Sequence, residues 1–325
     1  LNSFPTRRSS DLRSVQDLKI RFSSILEDHF EAYDLKATKQ DLRELFFQLI
    51  RLVKQKTGQK VVVLIDEYDK PILDSIHKPE LAVEIREELK NYYSVLKDCD
   101  PYLRLVFITG VSKFSKVSLF SGLNNLEDIT LSPEYSALCG YTQQDLETVF
   151  ADYLEGVDLD EVRTWYNGYN WLGEAVYNPF DILLFLKQKS FSNYWFETGT
   201  PSFLIQLLRR DKYLVPEIEA LEAGEEVLSS FDVDDMAVET LLFQTGYLTL
   251  KSFEQIGAFR RYGLGFPNLE VKSSLCNSVL TRYCKDRIAK TNNQSRLLDA
   301  LVANDPDAMR DVFYAFFASI PYDWY

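Results

Sequence analysis

Two carboxylates stand where an aliphatic run ends. Val61, Val62, Val63, Leu64 and Ile65 are followed at once by Asp66 and Glu67. An unbroken Val-rich run of this kind suits a parallel strand buried on both faces. Open α/β sheets bind their ligands outside the carboxyl ends of such strands, so the pair occupies a place suited to chemistry. There Asp66 would hold Mg²⁺ through water, and Glu67 would polarise the water that attacks a γ-phosphate. The pair equally suits a strand that simply leaves the core with two solvated carboxylates. A paired-carboxylate glycosidase is disfavoured, because adjacent strand residues point to opposite faces and cannot flank one bond.

The next aliphatic run, 103–108, ends in Thr109-Gly110-Val111-Ser112-Lys113. Neighbouring strands lie about 4.8 Å apart, which would put polar residues at this tip beside Asp66 and Glu67. Thr109 or Ser112 would then reach the attacking water or a phosphate oxygen. Lys113 and Lys116 suit phosphates, although a loop lysine is as readily explained by solvation.

The elements that must position these residues follow from periodicity. Apolar residues at helical spacing predict helices over 13–33, 41–56 and 80–96. Strand, acidic pair, helix, strand and polar turn in that order make one βαβ unit. Residues 129–131 are a third, short strand candidate. Beyond Cys139 the pattern turns helical. Thr142 is the expected N-cap of a helix over 144–154, and helices are also expected over 158–166, 179–187 and 201–210. Gly168 stands where a helix ending at Tyr166 would place its C-terminal glycine. Residues 245–250 and 262–266 read as the arms of a β-ribbon, and flanking helices give a winged-helix-like module. Leu269-Glu270-Val271-Lys272 has a nuclease-like E-x-K shape but reads as a ribbon arm. Trp165, Tyr166 and Tyr169 read as packing around a helix end, with contact to a nucleotide base as the alternative. Tyr194, Trp195 and Phe196 read as interface packing, Glu197 to Pro201 as an N-cap region that would sense a nucleotide, and His77 as a solvated helix end.

Composition bounds the function. Lys and Arg number 36 against 49 Asp and Glu, a net charge of −13, which excludes a surface-wide basic groove for nucleic acid. No run reaches the ~18 uncharged apolar residues of a membrane span, so no membrane association is expected. Cys99, Cys139, Cys276 and Cys284 show no C-x-x-C spacing, and His29 and His77 alone could join them. That argues against zinc or a disulfide framework and for a reducing, cytoplasmic compartment. Residues 1–12 are set aside, because SFPTRRSSDL resembles the translation of a sequencing adapter.

Several blocks together carry a family resemblance: VVVLIDEYDKPILDSI (61–76), RLVFITGVSKFSKVSLFSGLNNLEDIT (104–130), WYNGY (165–169), VYNPFDILLFL (176–186), NYWFETGTPSFLI (193–205) and TGYLTL (245–250). Over about 13–290 the chain resembles the predicted AAA-ATPase-like family of bacterial P-loop ATPases, often joined to a C-terminal PD-(D/E)xK nuclease-like domain. The resemblance implies an α/β fold, the remnant of a P-loop ASCE-type parallel sheet. It implies a truncated core over 13–140, a helical lid over 141–190, a winged-helix-like module over 191–290 and a helical connection over 291–325. It also implies ATP and Mg²⁺ as ligands. Asp66 and Lys113 would bind them, with Asp66 on the metal, while Glu67, Thr109 and Ser112 would act on the water and phosphate. The nuclease-like domain would be the partner and the route to any nucleic acid, and oligomers are compatible with the family. The family's topology places a phosphate-loop strand between 103–109 and 129–131, with 61–65 parallel to 103–109. The departure is the phosphate loop: no G-x-x-x-x-G-K-[ST] and no Gly-Lys pair occurs in the chain. The expectation is a fragment of an ATPase that is inactive by itself. A noncatalytic interaction or regulatory module is the competing reading, and it gives no reason to keep both Asp66 and Glu67 at one strand tip.

Overall fold

The computed structural model describes residues 12–76, 78–111, 126–195, 218, 221–228, 237–283 and 287–318. Helix α1 (Val15–Ala32) starts at Ser14, whose side chain accepts from Asp17 N–H, and buries Leu18, Phe22, Leu26 and Phe30 on one stripe. Helix α2 (Leu42–Thr57) is capped by Asp41 and stops at Gly58. Strand β1 (Val61–Ile65) follows. The chain then crosses over through α3 (Lys70–Asp74), α4 (Pro79–Tyr93) and α5 (Val95–Asp98) into β2 (Leu103–Ile108). The Tyr92 ring on α4 stacks between Phe22 and Phe46 at 4.3 and 5.0 Å, locking α1, α2 and α4 together. Leu49, Ile50, Ile85 and Leu89 are fully buried in the same core, each contributing about 1.5–3 kcal/mol of burial.

β1 and β2 pair in parallel, from Val61 opposite Leu103 to Ile65 opposite Ile108, as the βαβ reading requires. Two expectations fail here. Burial on both faces is not seen, since Val62 (37%), Leu64 (41%) and Leu105 (52%) are exposed. Helices cover one face of the pair, and nothing among the described residues covers the other. The third strand at 129–131 is also absent. Thr130 N–H bonds to Asp128 Oδ1 and Ser132 N–H to Ile129 O, so a local turn takes the backbone groups that a ladder would need.

The middle of the chain builds a second core. Helix α6 (Gln143–Val149) begins at Thr142 with a complete capping box: Thr142 and Asp145 each accept from the other's backbone N–H. The helix is shorter than expected, ending before a 3₁₀ turn at Ala151–Tyr153. Helix α7 (Leu159–Tyr166) is capped by Asp158 and leads into β3 (Asn167–Tyr169), which pairs antiparallel with β4 (Val176–Tyr177). Helix α8 (Pro179–Gln188) follows its cap Asn178. Leu146, Val162, Tyr166, Tyr177, Ile182 and Phe185 close this core. Gly168 does not cap α7. Asn167 leaves the helix extended, and Gly168 sits in β3.

Beyond it lie β5 (Leu221–Ala223), α9 (Glu225–Leu228), α10 (Val238–Gln244), β6 (Thr249–Ile256) and β7 (Phe259–Gly265). The sheet order is β5-β7-β6, all antiparallel, so the expected ribbon is present, longer than predicted and with an added edge strand. Residues 269–272 are a correction. They open α11 (Leu269–Tyr283) instead of forming a ribbon arm, because Asn268 Oδ1 accepts Val271 N–H and starts a helix. Helices α12 (Arg287–Val302) and α13 (Pro306–Ala318) follow. No helix among the described residues is long and apolar enough to cross a membrane.

Candidate functional site

β1 carries Asp66 and Glu67, β2 carries Thr109, and the register aligns their ends. Pairing continues past both strands: Thr109 N–H donates to Ile65 O at 2.8 Å, and Tyr68 N–H donates to Thr109 O at 3.0 Å. The two tips are thereby clamped side by side. The Thr109 hydroxyl donates to Asp66 Oδ1 at 2.5 Å. Asp66 is exposed and Glu67 half-buried, so both carboxylates remain accessible beside this contact.

Glu67 has φ of 51°, in the left-handed region. A non-glycine residue there costs about 1–2 kcal/mol. The bend persists because Lys70 N–H closes onto Glu67 O at 3.1 Å while Tyr68 is tied to Thr109.

Residues 6–120 match the family model described as Predicted AAA-ATPase. That stretch is similar to the AAA-ATPase-like family. The match contains β1, β2, Asp66, Glu67 and Thr109, and it begins inside the segment 1–12. The chain is also 51% identical over 314 residues, 97% of its length, to an "uncharacterized protein in vnfD 5'region" of Azotobacter chroococcum mcd 1. It spans 61% of that relative's length. No solved structure matches.

Within the matched stretch, Asp69 packs beside the two strand tips and was not singled out from the sequence. Its side chain is fully buried, and its Oδ1 accepts Val111 N–H at 3.2 Å. Asp69 and Tyr68 wrap the turn after β2 so closely that a Cβ on Gly110 would stand 2.6 Å from Asp69 Oδ1 and 2.6 Å from the Tyr68 ring. The available signal was a third carboxylate in Asp66-Glu67-Tyr68-Asp69. Gly110→Ala is therefore expected to cost about 1–3 kcal/mol by overpacking and to move Thr109 off Asp66. Urea denaturation checks the cost, and wild-type stability in this variant would reject the packing described.

Ser112 and Lys113, with Lys116, lie outside the described residues, as do His77, Phe196 to Pro201 and the helix expected over 201–210. The aromatic run at 165–169 is packed within the protein. Trp165 stacks on Phe191 at 5.6 Å, the Tyr166 hydroxyl donates to Ser192 O at 3.0 Å, and Tyr169 lies in the main core. Trp195 packs against Tyr247 at 5.3 Å, consistent with the interface reading.

Among the described residues no group of three or more His, Cys, Asp or Glu side chains could hold a metal.

Proposed function

We propose that the AAA-ATPase-like segment supplies the magnesium- and water-handling half of an ATP-hydrolysing site. The observation that carries this reading is the Thr109 hydroxyl on Asp66 Oδ1 at the carboxyl ends of adjacent parallel strands. Asp66 holds the ion through water, and its orientation is set by Thr109. Mg²⁺, when bound, neutralises charge on the β- and γ-phosphate oxygens. Glu67, fixed by its bend beside Asp66, polarises the attacking water. Ser112 and Lys113 serve the phosphate side in this reading.

The phosphates themselves need a Gly-rich turn at a helix N-terminus and a lysine, and the chain contains no such motif. The exposed apolar residues Val62, Leu64 and Leu105 suit cover by further elements packed on the open face of a P-loop ASCE-type sheet. Residues 141–190 act as a helical lid, and the β5–β7 sheet with its helices acts as a winged-helix-like module. ATP turnover would move the lid against the core and regulate a nuclease-like partner domain in the complete protein.

The test is a titration with a fluorescent ATP analogue and Mg²⁺. This chain is expected to bind with a dissociation constant above about 0.1 mM, weaker than about −5.5 kcal/mol. A chain extended to include a phosphate-binding loop is expected to bind at least about tenfold more tightly, a gain of about 1.4 kcal/mol. Low-micromolar binding by the unextended chain, or no gain on extension, would reject the reading.

A further inference from the structure

The two hydrophobic cores meet across a pair of buried carboxyl groups. Asp181 lies in the first turn of α8, beside Ile182 of the second core. Glu270 lies in the first turn of α11, beside Val271 of the main core. Both residues have 0% exposure. Each follows its helix's own cap: Asn178 Oδ1 accepts Phe180 N–H at 2.9 Å, and Asn268 Oδ1 accepts Val271 N–H at 3.0 Å. Two helix starts thus point acidic groups at one another inside the protein. Glu270 Oε1 accepts Trp195 N–H at 2.9 Å. Neither Asp181 oxygen accepts a hydrogen bond of good geometry, and the groups in reach of it are the Glu270 carboxyl and the Trp195 N–H that Glu270 already engages.

Two ionised carboxylates in this setting would suffer both desolvation and mutual repulsion. One proton relieves both, turning Asp181 into an acid that donates its O–H to the Glu270 carboxylate. Among the described residues, the other titratable groups facing the pair are phenols from neighbouring elements. They are Tyr166 of α7, whose hydroxyl is committed to Ser192, and Tyr169 of β3. Burial pushes Tyr166 and Tyr169 well above the usual tyrosine range, so both stay neutral where the carboxyls titrate. Backbone contacts run through the same joint. Asn170 N–H donates to Thr249 Oγ1 at 2.7 Å, tying the β3–β4 hairpin to β6.

We propose that Asp181 and Glu270 share one proton across the boundary between the two cores, forming a latch that is shut while the proton is held and released when it is lost. Burial first, and then the Glu270 carboxyl, raise Asp181 from 3.8 to about 9. The sign follows from the raised value. The unfolded chain loses this proton above about 4, while the folded chain keeps it. The stability lent by the proton is therefore fully present below the unfolded value and is lost as pH rises through about 9. At neutral pH the latch is shut. The expected behaviour is loosening in alkali, the opposite of an acid-triggered switch, and it does not depend on ATP.

The direct test is infrared spectroscopy of the protonated-carboxyl C=O stretch in the intact chain. A band present at neutral pH, lost as pH passes about 9 and missing from folded Asp181→Asn, is the expected result. Absence of the band from the wild-type chain at neutral pH, or its persistence in folded Asp181→Asn, would overturn the proposal. The asparagine amide donates to Glu270 as the acid does, so between about pH 4 and 9 the melting temperature of this variant should fall less than that of the wild type. Identical profiles over that window would also overturn the proposal. Should Asp181→Asn fail to fold, Glu270→Gln offers an amide donor to Asp181. It should shift loss of the band to lower pH, and an unchanged midpoint would count against the shared proton.

Discussion

Glu67→Gln, in a chain that carries a phosphate-binding loop, is expected to lower ATP turnover at least about 100-fold and leave nucleotide binding nearly unchanged. The amide keeps the shape of the side chain at its left-handed bend and removes the charge that polarises water. Asp66→Asn should behave differently. It removes the negative charge that holds the ion's water shell and turns one of the two acceptor oxygens into a donor, while an amide oxygen remains for the Thr109 hydroxyl, so Mg²⁺-dependent binding should fall along with turnover. Steady-state hydrolysis and a Mg²⁺ titration of nucleotide binding separate the two variants. Turnover in Glu67→Gln within about twofold of wild type would remove Glu67 from the reaction.

The second large effect is structural. Gly168→Ala is expected to destabilise the fold by about 3 kcal/mol or more. Gly168 has φ of 123°, which L side chains rarely adopt, and a Cβ there would lie 2.0 Å from Pro267 O. That oxygen is backbone, placed just before Asn268 caps α11, so it has no rotamer through which to yield. Relief would require β3 to part from the start of α11, which is also where Asp181 and Glu270 meet. Urea unfolding is expected to show the loss, together with a broadened transition as the two cores uncouple. A cost below about 1 kcal/mol would mean that the hairpin and α11 are not in the contact described.

Most of what can be read locally was legible. The N-cap Thr142 is chosen by Asp145, within one helical turn of the position it serves. The pairing of β1 with β2 was legible for a related reason. Two aliphatic runs flank one amphipathic helical stretch, and a parallel crossover between them leaves little choice of arrangement. Thr109 beside Asp66 follows once the register is set, because both residues come one step after their strands end.

The misreadings share a cause. Residues 129–131 have strand composition, but a strand needs a partner for its backbone, and Asp128 offers a turn instead. Leu269 to Lys272 alternate like a strand, yet the Asn268 cap commits them to α11. Gly168 carries a cap signal, but the demand on it comes from Pro267, far along the chain. Asp69 looked like one more carboxylate after β1 until β2 placed Val111 N–H against it.

Sequence by itself therefore determined the periodic helices, their caps, the βαβ order and the carboxylates at the strand tip. Each of these is encoded by spacing over a few residues and by side-chain interactions with nearby backbone. Tertiary structure alone decided the open face of β1 and β2, the close seat of Gly168 on Pro267 and the meeting of Asp181 with Glu270. Those depend on which distant surfaces pack together. Burial and proximity between distant segments change the energy of a carboxyl group or a missing Cβ, and no local pattern records that change.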